Sequence, residues 1–495
     1  MSDAGDVNKV GRAGTQRSVL RQMCAVKPID PAPPGKARLK QVLTAPALVA
    51  IGLGATIGSG IFVLTGTVAA NHAGPAITLS LLIAAFGGGL AALCYSEFAT
   101  FLPVPGSAYS YTYATLGEAL AWFIGWNLLL EYAISASAVA VSWSAYVVSL
   151  LADAHIHLPA LLVNAPLALD SHDHVVSTGA LINVPAVLII AAMTALLYVG
   201  VRSSAGANTF MVALKVVVIV VVIIAGLKYV DPGNWKPYVP PNTGVRGQFG
   251  WSGVLQGAAI IFFSYVGFDT ASTTALEARN PQRDLPIGII GALVISALLY
   301  VGMSTVLTGM VPYAKLDSDA PVAVALDAHP QLSWLAAVVK VGVIAGMTSV
   351  ILTSLLGQPR ILLSMADDGL LPPAIGRCHP RFKTPHVATV VTGVFAAAIA
   401  AVFPLDLLAD LISMGILLAF AVVCAGVLVL RYTRADAPRA FRVPWAPVTC
   451  VLGTVVCLGM TYFLSAATWM RLVYWTAIGM SIYAFYGYAH SRLRR

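Results

Sequence analysis

Long apolar runs separated by short polar connectors dominate the chain. A bilayer core about 30 Å thick needs about 20 apolar residues per helix. Runs of that kind fall at 46–70, 77–101, 119–151, 183–201, 207–230, 251–276, 286–311, 333–364, 386–404, 407–431, 445–465 and 472–489. The pattern predicts an all-α membrane protein with 12 transmembrane helices. The third and eighth runs would each be about 45 Å long as helix, so they tilt strongly or project beyond the lipid. The longest connector, 152–182, is too short for a soluble domain of ordinary size.

Two runs are interrupted in a corresponding way. The first reads Gly52-Leu-Gly-Ala-Thr-Ile-Gly-Ser-Gly-Ile-Phe62, and the sixth reads Phe262-Phe-Ser-Tyr-Val-Gly-Phe-Asp-Thr-Ala-Ser-Thr-Thr274. An interior glycine costs a helix about 1 kcal/mol against alanine. Unwound backbone at membrane depth persists only where protein or a water-filled cavity satisfies it. Small residues also permit close helix packing, but paired interruptions at matching positions point to an inverted-repeat transporter site. Helices 1 and 6 are therefore expected to be discontinuous. The first repeat would span 46–230 and the second 251–431, with 445–489 forming helices 11 and 12. A broken helix presents free N–H groups where its second half begins and free C=O groups where its first half ends. The first suit a carboxylate and the second an ammonium, so a zwitterionic amino acid is the expected ligand.

Composition agrees. Of 495 residues, 58% are hydrophobic and 10% charged, with a mean hydropathy of +0.83, whereas soluble domains carry about 25% charged residues. The net charge of +8 does not imply nucleic acid, because the charges sit between the runs. With twelve crossings, 22 basic residues collect on the face shared by both termini and five on the other: Lys228, Lys236, Arg246, Lys315 and Arg471. The positive-inside rule makes the first face cytoplasmic. Residues 1–45, basic and without the apolar core of a signal peptide, read as a cytoplasmic tail, as do residues 490–495. A plasma or inner membrane location follows.

Candidate chemistry is sparse. Six cysteines (Cys24, Cys94, Cys378, Cys424, Cys450 and Cys457) show no metal-like spacing and read as packing residues. The pairs His155/His157 and His172/His174 read as an exposed polar loop. The chain has no HExxH, GxSxG or Walker loop, so neither an enzyme nor an ATP-driven pump is expected, and no cofactor or metal. Lys215, Glu131 and Lys340 lie inside apolar runs. Lys215 sits eight residues deep, about 12 Å along the helix and beyond its own reach to the surface, which marks it as functional. Glu131 lies mid-run in the third helix; ionised and facing the pocket, it would favour arginine, lysine or ornithine. Lys340 lies nearer the end of its run and is expected to snorkel.

At these residues the chain resembles the amino acid–polyamine–organocation superfamily, and within it the bacterial cationic amino acid transporter-like permeases. The likeness runs over about residues 40–490. It is carried by Gly54-Ala-Thr-Ile-Gly-Ser-Gly-Ile-Phe62, Pro103-Val-Pro-Gly-Ser-Ala-Tyr109, and Gly125-Trp-Asn-Leu-Leu-Leu-Glu-Tyr132. Gly267-Phe-Asp269 with Asn280-Pro-Gln-Arg-Asp-Leu-Pro286, and Gln358-Pro-Arg-Ile361 with Asp368-Gly-Leu-Leu-Pro372, complete it. One departure is Leu276-Glu277, where the family usually has an acidic pair. The resemblance implies the LeuT-like 5+5 inverted-repeat fold and alternating access. It implies a substrate site at Thr56, Ile57, Gly58, Ser59, Gly60, Glu131, Phe263, Ser264, Val266, Gly267 and Phe268. In it Ser59 and Gly60 hold the carboxylate, carbonyls of Thr56, Phe263 and Val266 hold the amine, and Phe263 and Phe268 close over the side chain. Lys215 would take the place of a coupling sodium ion, implying proton coupling. The expected function is import of L-amino acids with protons. The alternatives are an exchanger or polyamine permease of the same fold, or a non-transporting sensor. The expected partners are the amino acid, protons and lipid; the sequence names no small membrane subunit.

Overall fold

The computed structural model describes residues 25–27, 43–102, 107–169, 175–200, 205–318, 320–382, 384–436 and 439–494. Most of the expected tail over 1–45, residues 103–106 of the loop motif, Cys24, His172, His174, Arg202 and Lys383 lie outside them.

The described chain is helical apart from one small hairpin. The helices are α1 (Ala45–Thr56), α2 (Ile77–Phe101), α3 (Ser107–Thr115), α4 (Glu118–Asp153), α5 (Val184–Val199), α6 (Ala205–Leu227) and α7 (Gly250–Ile261). They continue with α8 (Pro281–Met310), α9 (Pro321–Asp327), α10 (Ser333–Asp367), α11 (His386–Val402), α12 (Leu405–Thr433), α13 (Ala446–Thr461) and α14 (Ala466–Ile482). Local chemistry sets several boundaries. Proline occupies the first turn of α1, α5 and α8, where an N–H would have no helical partner. Asn183 and Ser465 accept the N–H groups of Ala186 and Thr468, each at 3.2 Å, at the starts of α5 and α14. The connector expected as an irregular loop contains the antiparallel pair Leu167–Leu169 and Val175–Ser177.

Helix occupies each of the twelve apolar runs. By length and hydropathy, however, seven helices among the described residues are able to cross a membrane. The count becomes eight if Ala446–Thr461 and Ala466–His490, bent by 109°, form one span. Ala45–Thr56, Val184–Val199 and His386–Val402 fall short of a full span. The shortfall has a local cause: α1 is cut at its twelfth residue, and α5 and α11 stop at Gly200 and Phe403. Exposed Leu188, Leu298, Val394 and Phe485 give the outside an apolar surface suited to lipid.

α4 packs along α10, α2 along α8, α5 along α11, and α1 along α8. Glycine allows the last approach. A Cβ on Gly52 would lie 2.6 Å from Ala292 Cβ, and one on Gly288 2.7 Å from Leu48 Cβ. Toward the basic face, the buried Glu97 carboxylate receives Arg431 Nε and Nη2 at 2.8 and 2.6 Å and the Val443 N–H at 2.8 Å. Arg439 Nε lies 3.2 Å away. On the opposite face, Lys340 does not snorkel as expected. It is 1% exposed and pairs with Asp153 at 2.7 Å and Asp327 at 3.6 Å, because α4 and α9 end beside it and supply a counter-charge in place of water.

Candidate functional site: two broken helices in contact

Both predicted interruptions are present and they touch. α1 ends when Ile57 turns to an extended conformation (φ −75°, ψ 98°). Gly58 and Ser59 follow, and a wide-turned helical half resumes at Gly60. α7 passes into a tight turn over Phe262–Tyr265, Val266 is extended (φ −63°, ψ 134°), and Gly267 takes φ +118°. Only glycine adopts that conformation without strain. A Cβ on Gly267 would also stand 2.6 Å from the Ala55 carbonyl carbon and 2.8 Å from Thr56 N. On the other side, a Cβ on Gly60 would lie 2.6 Å from Ser264 Cα. The two bare backbones therefore pack directly on each other.

Three side chains from elsewhere hold this crossing. The Tyr300 hydroxyl of α8 lies 2.9 Å from both the Thr56 and the Ser264 carbonyl oxygens, which share its single proton. Lys215 of α6, 1% exposed, donates to the carbonyls of Gly54 at 2.8 Å and Ile57 at 3.1 Å. Ser413 of α12 donates to the Ile260 carbonyl at 2.8 Å and receives the Phe263 N–H at 3.3 Å. These orphan groups are the ones a broken helix leaves. Sequence reading singled out Lys215 but missed Tyr300 and Ser413. A hydroxyl in an apolar run carries no sign of a partner 244 residues away.

Between the breaks lies a cavity of about 10 Å³ lined by Thr56, Gly58, Ser59, Gly60, Phe263, Ser264 and Val266. That is room for about one water molecule. The hydroxyls of Ser59 and Ser264 are buried there with no hydrogen-bond partner among the described residues, an arrangement that asks for a polar ligand. The leading N–H groups of the half beginning at Gly60 face the same break. The Thr56 carbonyl already accepts from Tyr300, and the Phe263 carbonyl accepts the Val266 N–H at 3.0 Å, so each has one lone pair left. Ile57 turns its carbonyl to Lys215 and does not line the cavity. Phe268 does not line it either. Its ring is buried against Tyr95 and Phe420, with centroids 6.3 and 5.2 Å away, because the turn at Gly267 points the next side chain toward α2 and α12.

Glu131 lies beyond the wall of this cavity. With Tyr132, Ser135, Gly267, Asp269, Thr270 and Thr353 it lines a second cavity of about 20 Å³. Asp269 was legible only as part of a motif; its meeting with Glu131 is a product of the fold. On the face bearing Asp317, a larger cavity of about 470 Å³, lined also by Asp406 and Asp410, reaches as far as Leu64 and Ile260.

Comparison with known proteins gives the family. Residues 43–485 match the amino acid permease family. The chain is 44% identical over 457 residues to the methylthioribose transporter of Bacillus subtilis (strain 168), covering 92% of this chain and 95% of the relative. It is 42% identical over 479 residues to the branched-chain amino acid permease BcaP of the same organism, covering 97% and 99%. It is 41% identical over 399 residues to the vacuolar cationic amino acid transporter 2 of Arabidopsis thaliana, covering 81% of this chain and 61% of the relative. A match across nearly the whole chain, with relatives this similar, establishes that the chain belongs to the amino acid permeases of the amino acid–polyamine–organocation superfamily.

Proposed function

We propose that this permease imports L-amino acids with protons across the plasma or inner membrane by alternating access. The carrying observation is the contact of the two breaks around Ser59, Gly60, Phe263, Ser264 and Val266. Its N–H groups suit the substrate carboxylate, and the free lone pairs of Thr56, Phe263 and Val266 suit the ammonium. No amino acid fits in about 10 Å³, so the two halves must part to admit one. That requirement supports alternating exposure of a buried site.

Helix pairing supports a 5+5 inverted repeat with twelve crossings. The first, second, third and fourth apolar runs pack on the sixth, seventh, eighth and ninth respectively, as two related halves would. The segregation of basic residues supports cytoplasmic termini. Lys215, bridging α6 to the end of α1, is the proposed coupling group: loss of its proton would remove the positive charge that strengthens both hydrogen bonds and so loosen the break.

A test is uptake into proteoliposomes with an imposed pH gradient, with and without sodium, against a panel of unlabelled amino acids. Accumulation that follows the pH gradient and ignores sodium supports the reading. Uptake that depends only on preloaded substrate makes the protein an exchanger. A second reading, a methylthioribose-like sugar, is favoured by the 44% identical relative and joins the same panel. Competition by that sugar with none from amino acids would replace the zwitterion reading.

A further inference from the structure

Lys340 lies in the first part of α10 and is 1% exposed. Its ammonium meets two carboxylates that end other helices. Asp153, the last residue of α4, lies at 2.7 Å, and Asp327, the last residue of α9, at 3.6 Å. A carboxylate is disfavoured at a helix C-terminus, and a cation beside it offsets the penalty. Lys340 therefore ties the ends of α4 and α9 together.

Both tied helices also reach the second half of the broken first helix, which resumes at Gly60 and runs to Ala73. α9 does so at its far end. Pro321, its first residue, packs on Gly66, where a Cβ would stand 2.6 Å from Pro321 Cγ. With seven residues, α9 is a strut about 10 Å long between that contact and Lys340. α4 reaches the same half through Tyr146, whose buried hydroxyl donates to the Phe62 carbonyl at 2.9 Å. Tyr146 and Asp153 are about two turns apart and so share one face of α4.

This ionic cluster differs from the anchor at the basic face. There Glu97 is fully buried, with Arg431 at 2.6 Å and Arg439 at 3.2 Å. Here the side chains of Asp153 and Asp327 are 44% and 50% exposed, so water can replace the ammonium at either one. Asp153 makes a hydrogen bond to it, whereas Asp327 at 3.6 Å is too far for one. The weaker arm is the one that holds α9.

We propose that Lys340 is a positioning residue of the outer gate. Its Asp327 arm is a catch that holds α9 across the second half of helix 1. When the site opens away from the basic face, this arm parts while Asp153 keeps the ammonium paired. The inference rests on the alternating-access reading above and adds the contact that yields on that side.

Leu64, on the second half of helix 1, is 1% exposed and lines the cavity on the face bearing Asp317. The full chain carrying Leu64→Cys is reconstituted in liposomes in one orientation and treated from that face with a membrane-impermeant maleimide. The chain without the new cysteine gives the background. Asp327→Asn is expected to raise the labelling rate about tenfold, as a tenfold rise in the open population does. Asp327→Glu restores the slow rate, and Asp153→Asn leaves it slow, because Lys340 then pairs with Asp327 alone. A merely structural role would lower folded yield and leave the labelling rate of the folded protein unmoved. A rate unchanged by Asp327→Asn, or raised equally by Asp153→Asn, overturns the proposal. If Asp327→Asn does not fold, external salt decides in the reporter chain. Raising it from about 0.01 M to about 1 M shortens the screening length from about 30 Å to about 3 Å, and labelling that stays constant overturns the catch. Labelling slowed by an equimolar mixture of L-amino acids inside the liposomes but indifferent to Asp327→Asn overturns the catch alone. Labelling indifferent to both overturns alternating exposure as well.

Discussion

The Lys215 ammonium donates to the carbonyl of Gly54 at 2.8 Å, across 161 residues of sequence. It occupies the carbonyl end of α1 and shares its remaining protons with Ile57 at 3.1 Å. Cations are favoured at that end of a helix. Gly346 of α10 makes room for the side chain, since a Cβ there would stand 2.9 Å from Lys215 Cγ and 3.3 Å from Cε. One glycine and one lysine on different helices thus act as a unit.

Replacing Lys215 with methionine keeps the stem and removes the donor. Two buried carbonyls lose their partner, each at a cost of about 1–3 kcal/mol. Accumulation driven by a pH gradient is expected to fall at least about tenfold, a loss of about 1.4 kcal/mol or more of coupling, while counterflow between preloaded and external substrate survives. Gradient-driven uptake at the unmodified rate would remove Lys215 from the coupling mechanism.

Gly267→Ala is expected to be among the most damaging single-methyl changes in the protein. The residue has φ +118°, which costs a side chain about 1–3 kcal/mol, and the methyl would meet backbone atoms of Ala55 and Thr56 that cannot move aside. Gly459→Ala is the control, because nothing lies within 4 Å of a Cβ there. Thermal unfolding of the purified pair in detergent should show a clear drop for the first and little change for the second. Equal behaviour would mean that the two breaks are not in contact.

Tyr300→Phe removes a hydroxyl shared by the Thr56 and Ser264 carbonyls. The expected loss is about 1–3 kcal/mol, and it falls on Thr56, one of the carbonyls of the proposed amine site, and on Ser264, which lines the same cavity. Substrate affinity should therefore weaken by roughly tenfold or more with expression preserved. Ligand-dependent thermal shift separates the two effects: unchanged affinity with lowered stability would assign Tyr300 a structural role only.

Glu97→Gln tests the ionic anchor at the basic face. Glu97 is fully buried and neutralises Arg431, with Arg439 Nε at 3.2 Å. Removing one member of a buried ion pair costs about 3–5 kcal/mol. The variant is expected to lose most of its folded yield, and Arg431→Leu combined with Glu97→Leu should recover part of it. A silent Glu97→Gln would show that water reaches the pair.

Much of the plan is legible in the order of residues. The apolar runs, their polar interruptions within 52–62 and 262–274, and the depth of Lys215 and Glu131 are one-dimensional facts, because helix rise and bilayer thickness convert sequence spacing directly into position. The family motifs add the site that the resemblance implies. Sequence alone did not distinguish the glycines of the first run, which the fold assigns to different tasks: Gly52 packs on Ala292, Gly54 gives its carbonyl to Lys215, and Gly60 lies on Ser264. Nor did it foresee that Phe268 turns away from the site, that Lys340 is paired with Asp153 rather than hydrated, or that Tyr300 and Ser413 satisfy the broken ends. Each of these depends on which helix lies alongside. Spacing along a strand of sequence fixes what a residue offers, but the partner that accepts it comes from packing between segments hundreds of residues apart, and only the folded chain selects it.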